Sequence, residues 1–161
     1  MVVREETEID HDGVRAVVEA AFGRTSEANL VDTLRRDGAA EISLIAKDDG
    51  HVIGHIMLSR MIAPIRALGL APVSVMPSHQ GKGVGSRMIR ESLKLAKGMS
   101  WEAVFLLGEP DYYSRFGFRV DIARVFASPY AGPYFMALEL AESALEGKSG
   151  DVAYAPAFDS L

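Results

Sequence analysis

The residues best placed to do chemistry stand in the stretch MPSHQGKGVGSRMI, Met76 to Ile89, with glycines at 81, 83 and 85 behind a polar, basic run. Glycines this dense cost backbone entropy and pack nothing, so the loop serves through its main chain. Small residues between a strand and a helix start turn several N–H groups on one point, and the helix dipole adds positive potential there. Such a loop binds an anion, and phosphate is the obvious one. Other chemistry is thinner. The chain has no cysteine, which removes disulfides, thiolate metal sites and a cysteine nucleophile together. His51 and His55 have the H-x-x-x-H spacing of a metal pair, yet they flank a strand pattern. Four residues of strand span ~13 Å, too far for one ion, so they read as a surface and a core histidine.

Three phosphate-binding patterns compete for the glycines. A P-loop needs Gly-x-x-x-x-Gly-Lys-Ser/Thr, but Lys82 lies between glycines and is followed by Gly83. A dinucleotide fingerprint needs Gly-x-Gly-x-x-Gly directly off a strand, with an acid about 20 residues on. Here Ser86 stands at the third glycine, Pro77 to Gln80 intervene after the strand, and Glu102 precedes its strand. The remaining pattern, Gln/Arg-x-x-Gly-x-Gly/Ala, is met by Gln80-Gly81-Lys82-Gly83-Val84-Gly85. With it the chain resembles the GNAT superfamily of acyl-CoA-dependent N-acetyltransferases. VSVMPSHQGKGVGSRMI is similar to that family's acetyl-CoA-binding strand, loop and helix, and YYSRFGF to its later Tyr-x-x-x-Gly-Phe element.

The resemblance implies acetyl-CoA as cosubstrate and no metal. Its pyrophosphate would sit on the amides around Gly81, Gly83, Val84, Gly85 and Ser86, with Gln80 and Lys82 in the same motif. Lys82 and Arg87 could reach phosphate oxygens. Pantetheine would run beside the strand at Val73 and Val75, pairing with main-chain groups as another strand would, and a free N–H on the Val75 strand would serve the oxyanion. Tyr113, four residues before Gly117, falls where the family's general acid faces the sulfur. A phenol of pKa ~10 protonates a thiolate of ~8.5 uphill by about 2 kcal/mol, so Tyr113 works largely as a hydrogen-bond donor. Tyr112 reads as packing. The amine must also lose a proton, which for a lysine-like ammonium at pH 7 costs about 4.6 kcal/mol. Glu27, His79, Glu109 and Asp111 are candidates for that base, and none has a diagnostic spacing. The lack of cysteine favours direct transfer in a ternary complex. The expected activity is acetyl transfer to a primary amine on a small molecule or protein, and the alternative is an acyl-CoA-binding regulatory module without turnover.

These residues need a scaffold, and hydrophobic patterning supplies one. A first strand near Val2–Thr7 leads into a helix with Val14, Val17, Val18, Ala21 and Phe22 on one stripe, Asp10 as its cap and Gly23 as its stop. SEANLVDTLRRDG is a second helix capped by Ser26. ISLIAKDDGHVIGHIMLSRM is a hairpin turning at Asp48-Asp49-Gly50, and LAPVSVM a further strand. After the glycine loop, a helix to about Lys97 buries Met88, Ile89, Leu93, Ala96 and Met99. EAVFLLG and YFMALEL are strands, DYYSRFGF is a helical turn ending at Gly117, and DVAYAPAF is a last edge strand. The order β-α-α-β-β-β-α-β-α-β-β predicts an α/β fold, a mixed and mostly antiparallel GNAT-like sheet flanked by helices. One N-acetyltransferase domain over 1–161 is expected, with its motif core at about 42–120.

Composition narrows the partners. Net charge is −5 over 161 residues, which speaks against nucleic acid. No 18-residue apolar run or signal-type N-terminus is present, so a soluble, cytoplasmic protein without membrane contact is expected. Tyr130, Tyr134 and Phe135 are candidates for an acceptor cleft, and edge strands leave room for a homodimer.

Overall fold

The structure is a computed structural model describing residues 1–161. Six strands form one sheet in the order β1-β2-β3-β4-β5-β7, comprising β1 (Val2–Glu5), β2 (Ala40–Asp48), β3 (His51–Arg60), β4 (Ala67–Val75), β5 (Ala103–Leu107) and β7 (Phe135–Glu139). Every pairing is antiparallel except β4 with β5. The expected mixed, mostly antiparallel sheet between helices is what the chain forms.

Alternation along the strands feeds two faces. Ile42, Leu44, Ile56, Leu58 and Val104 meet Val84, Met88, Ile89 and Ala96 of α3 (Val84–Gly98). Ile45 and Met57 face the opposite way, onto Val14 and Val18 of α1 (His11–Phe22) and Leu30, Val31 and Leu34 of α2 (Ser26–Arg36). A third cluster gathers Ala67, Ala103, Phe105 and Phe135 with α5 (Val120–Ala123) and β6 (Phe126–Ala127).

Several local expectations are corrected. The first strand stops at Glu5. Asp10 does not cap α1, and Ser26 does not cap α2. Asp10 is instead buried beneath a short 3-10 turn, accepting Thr7 N–H at 2.8 Å and a two-point bond from Arg4 at 2.8 and 3.1 Å. The Arg4 guanidinium holds that carboxyl far below the ordinary range, and burial opposes the shift. Phe22 ends the α1 stripe 41% exposed rather than in the core, and Met99 lies outside the buried face of α3, where Ser92 is buried instead. DVAYAPAF is not an edge strand of the main sheet. Only Gly150–Asp151 pairs, as β8, with β6 in a separate two-stranded sheet. Ala153 then bridges Ile62, and Pro156–Ser160 turns into a 3-10 helix against α2. No helix is long and apolar enough to cross a membrane.

Beneath α1 and α2 the sheet carries a polar group of contacts. His55 is fully buried, and its Nε2 lies 2.8 Å from Ser43 Oγ, which also bonds the Glu6 carboxylate. Arg35 donates twice to Glu6, at 2.7 and 3.2 Å. Burial drives the His55 pKa down to about 4. Burial pushes Glu6 upward, but hydrogen bonds from Arg35 and Ser43 outweigh it and hold the carboxyl below its ordinary value. His51 is exposed at the hairpin turn, so the two histidines are a surface and a core residue.

Candidate active site

The parallel partners β4 and β5 are joined at only three residue pairs, Ala67–Ala103 through Gly69–Phe105. Beyond Gly69 they diverge, leaving β4 unpaired on that side from Leu70 to Val75. Met76 N–H donates to Ile53 C=O at 2.8 Å, which makes those two residues a hydrogen-bonded pair. Alternation in an antiparallel ladder then turns the N–H and C=O groups of Val75 and Val73 away from β3 and into the fork. From that open side the Gln80 side-chain amide donates to Val75 C=O at 3.1 Å.

The glycine loop closes one end of the fork. Gly81 and Gly83 have φ of 74° and 83°, the left-handed region that side chains resist. This conformation delivers the chain into α3 with Gly83 at the cap position and no side chain capping the helix. The first N–H groups of α3 therefore lack protein partners, and no acidic residue lies in its first turn to compete for them. They border a cavity of ≈ 360 Å³ lined by Val75, His79, Gln80, Gly81, Gly83, Val84, Gly85, Ser86, Tyr112 and Arg115. Lys82 is exposed and does not line it, and Arg87 bonds the Met1 carbonyl at 3.2 Å. The cation facing the glycine loop is Arg115, which sequence reasoning did not single out although it sits inside YYSRFGF. Its Nε donates to Tyr112 C=O at 2.8 Å, and its guanidinium lies 4.5 Å over the Tyr112 ring.

A second cavity of ≈ 270 Å³ shares Val75, Gln80, Gly85 and Tyr112 with the first and continues to Val73, Ile89, Phe22 and Tyr113. Tyr112 is thus a wall residue rather than simple packing, and its hydroxyl stands 3.2 Å from Ser86 Oγ. Tyr113 closes α4 (Pro110–Tyr113), its ring held edge-on by Tyr112 at 4.9 Å and Phe118 at 6.1 Å. Burial raises its pKa above the ordinary phenol value, with Tyr112 adding to the shift. The hydroxyl therefore stays protonated through neutral and mildly basic pH. A third cavity of ≈ 360 Å³ shares Phe22, Val73 and Tyr113 with the second and adds Glu27, Leu30, Leu70, Ala71, Pro72, Leu107 and Leu161. One trench thus runs from the α3 N-terminus, along the free edge of β4, past Tyr113 to Glu27.

The four candidate bases separate here. Glu109, just before α4, and Asp111, on it, are exposed and line none of these cavities. His79 lies at the glycine-loop end, 3.8 Å from Asp48. Only Glu27 shares a cavity with Tyr113. Arg24 donates to both of its oxygens, at 2.9 and 2.6 Å, and holds the carboxyl below its ordinary pKa against the effect of burial. Glu27 is therefore a fixed anion and a poor proton sink. Of the aromatic candidates, Tyr134 is exposed and Phe135 is buried in the core.

The position of Tyr113 depends on Gly108. A Cβ at Gly108 would stand 2.3 and 2.6 Å from two carbons of the Tyr113 ring. Gly108→Ala is expected to swing the phenol out of the trench. Because ångström-scale misplacement of a reacting group costs on the order of tenfold to 100-fold in rate, steady-state assays should show kcat reduced at least about tenfold. Unaltered kcat would mean that the ring's position does not matter.

The family of acetyltransferase (GNAT) domains matches residues 2–120. The uncharacterized N-acetyltransferase YhbS of Escherichia coli K12 is 34% identical over 160 residues, covering 96% of each chain. The uncharacterized N-acetyltransferase YjhQ of the same strain is 39% identical over 133 residues, 77% of this chain and 73% of YjhQ. Among solved structures, YhbS from E. coli in complex with CoA superposes with a TM-score of 0.92 at 33% identity, covering 98% of this chain and 91% of that one. A GNAT family acetyltransferase from Brucella melitensis in complex with acetyl-CoA gives 0.83 at 37% identity, covering 98% and 97%.

Proposed function

Because this chain belongs to the GNAT acetyltransferase family, we propose that it moves an acetyl group from acetyl-CoA to a primary amine by direct attack in a ternary complex. The observation that carries the reading is the trench itself, which joins an uncapped helix N-terminus, a free strand edge and a half-buried phenol. Acetyl-CoA supplies the activated acyl group. The amides from Gly81 to Ser86 suit its pyrophosphate, since they are donors without partners at the positive end of α3. Arg115 adds a guanidinium on the facing wall. Val73 and Val75 offer main-chain groups to the two pantetheine amides, while the Gln80 side chain keeps the loop against Val75.

The reacting end lies between Val73 and Tyr113. The amine nitrogen attacks the thioester carbonyl, the C–S bond breaks, and the sulfur receives a hydrogen bond and then a proton from the Tyr113 hydroxyl. A raised pKa makes complete transfer before bond cleavage unfavourable, so the phenol stabilises developing charge first. The proton released by the amine passes to solvent and restores the phenol. Glu27, kept ionised by Arg24, orients the amine through its carboxylate and does not store the proton.

Isothermal calorimetry with CoA and acetyl-CoA tests the first half of this reading, and thiol release from acetyl-CoA with a panel of amines tests the second. Saturable binding with amine-dependent thiol release is expected. Binding without release from any amine would leave a regulatory acyl-CoA module, and no saturable heat would remove the donor site altogether.

A further inference from the structure

The trench does not end at Tyr113. A further cavity of ≈ 280 Å³ shares Leu70, Ala71, Leu107 and Leu161 with the Tyr113 cavity and ends against Tyr130, Tyr154 and Phe158. All seven residues that line it are hydrophobic. Three aromatic rings make its far corner, with Tyr130 5.4 Å from Tyr154 edge-on and Tyr154 5.2 Å from Phe158. The corner is built into the sheet. Tyr154 lies over Gly69, where a Cβ would come within 2.6 Å of its ring. Its hydroxyl is buried with no hydrogen-bond partner, an arrangement that folding alone disfavours.

Charge in this compartment is confined to one place. Across the two joined cavities Glu27 is the only charged side chain, and Arg24 already neutralises it from outside. A second ammonium on an acceptor would lie against apolar side chains with no further charged side chain to pair it, which is strongly unfavourable. An apolar cavity of ~150 Å³ holds a benzene ring, so the volume here suits one ring and a short chain.

We propose that the acceptor is a primary arylalkylamine, its ring in the Tyr130–Tyr154–Phe158 corner and its nitrogen between Glu27 and Tyr113. This rests on the acetyl-transfer reading given above. The orphaned Tyr154 hydroxyl supplies a partner for a polar substituent on the ring, such as a phenol. Leu107 forms the threshold between the two cavities and is 46% exposed, so it tolerates replacement without opening the core.

The test follows thiol release from acetyl-CoA with phenethylamine, tyramine, spermidine and a lysine-containing peptide, alongside calorimetry with CoA. Phenethylamine should exceed spermidine and the peptide in kcat/KM by about 100-fold, the scale on which an apolar pocket rejects an added polar group. Tyramine should exceed phenethylamine, and Tyr154→Phe should remove that margin. Leu107→Glu should raise KM for phenethylamine at least about tenfold, narrow its lead over spermidine and leave CoA affinity unchanged. Preference for spermidine or the peptide, or an unchanged phenethylamine KM in Leu107→Glu, would overturn the substrate class while leaving the transferase reading intact. Loss of CoA binding in the parent protein would overturn both.

Discussion

Tyr113→Phe is expected to lower kcat and kcat/KM together by about 10²–10³-fold, the range for losing one donor to developing charge, with CoA affinity within about twofold of the parent. The substitution removes one oxygen from a ring clamped by Tyr112, Phe116 and Phe118, so its position is preserved and only the donor is lost. Both parameters fall together because the sulfur acquires charge only as the C–S bond breaks. Protonation state gives a second signature. Burial raises the Tyr113 pKa above its ordinary value, so the acid form persists and the pH–rate profile should show no falling limb below about pH 10. Its rising limb reports deprotonation of the amine. A Phe variant that keeps full turnover would remove the phenol from the chemistry.

The second large effect concerns stability and lies beneath α1 and α2. His55 has its pKa lowered to about 4 by burial, while an unfolded histidine titrates near ~6.5. Above pH ~6.5 both states are neutral and folding is not penalised. As pH falls from there toward 4, the unfolded chain binds a proton that the native protein refuses, and stability declines. Below about 4 the native state protonates too and the loss levels off at about 3 kcal/mol. Between pH 7 and pH 5 the loss should be about 2 kcal/mol, measurable by urea unfolding at each pH. Glu6 adds a later loss, since its depressed pKa contributes stability above the ordinary carboxyl value that disappears as pH falls through it. His55→Gln should flatten the pH 7 to 5 slope. A parent protein equally stable at both values would show that His55 retains a solvent-like proton affinity.

Both predictions draw on features that differ in how far they can be read from sequence. The order of elements follows from local periodicity, because each strand and helix buries one face against its neighbours and the pattern recurs at 2 or 3.6 residues. Val14, Val17 and Val18 obey it and are buried. Phe22 follows the same arithmetic yet lies half out, because the last turn of α1 overhangs the fork and the ring faces a cavity. Periodicity assigns a face and cannot tell core from cleft on that face. The tail is the clearest case. DVAYAPAF has strand-like alternation, but Tyr154 and Phe158 are drawn across β4 and α2 by contacts remote in sequence, leaving two residues to pair. Arg115 and Tyr112 were hidden for another reason: they meet the glycine loop through contacts remote in sequence, which no local pattern reports. Glu27 was visible as a carboxylate, whereas its place on an apolar cavity and its pairing with Arg24 from outside depend on how α1 joins α2.

The fork between β4 and β5 has a consequence for how such a protein changes over generations. Its contacts are offered by peptide groups, which every residue type except proline brings alike. Mutation can therefore exchange side chains along that edge with little penalty at the donor end. The opposite wall is made of side chains from α1, α2, β5, α4 and the tail, where each exchange reshapes the cavity. Innovation in what is acylated and constancy in what does the acylating thus become separable inheritances, lodged in different kinds of atoms.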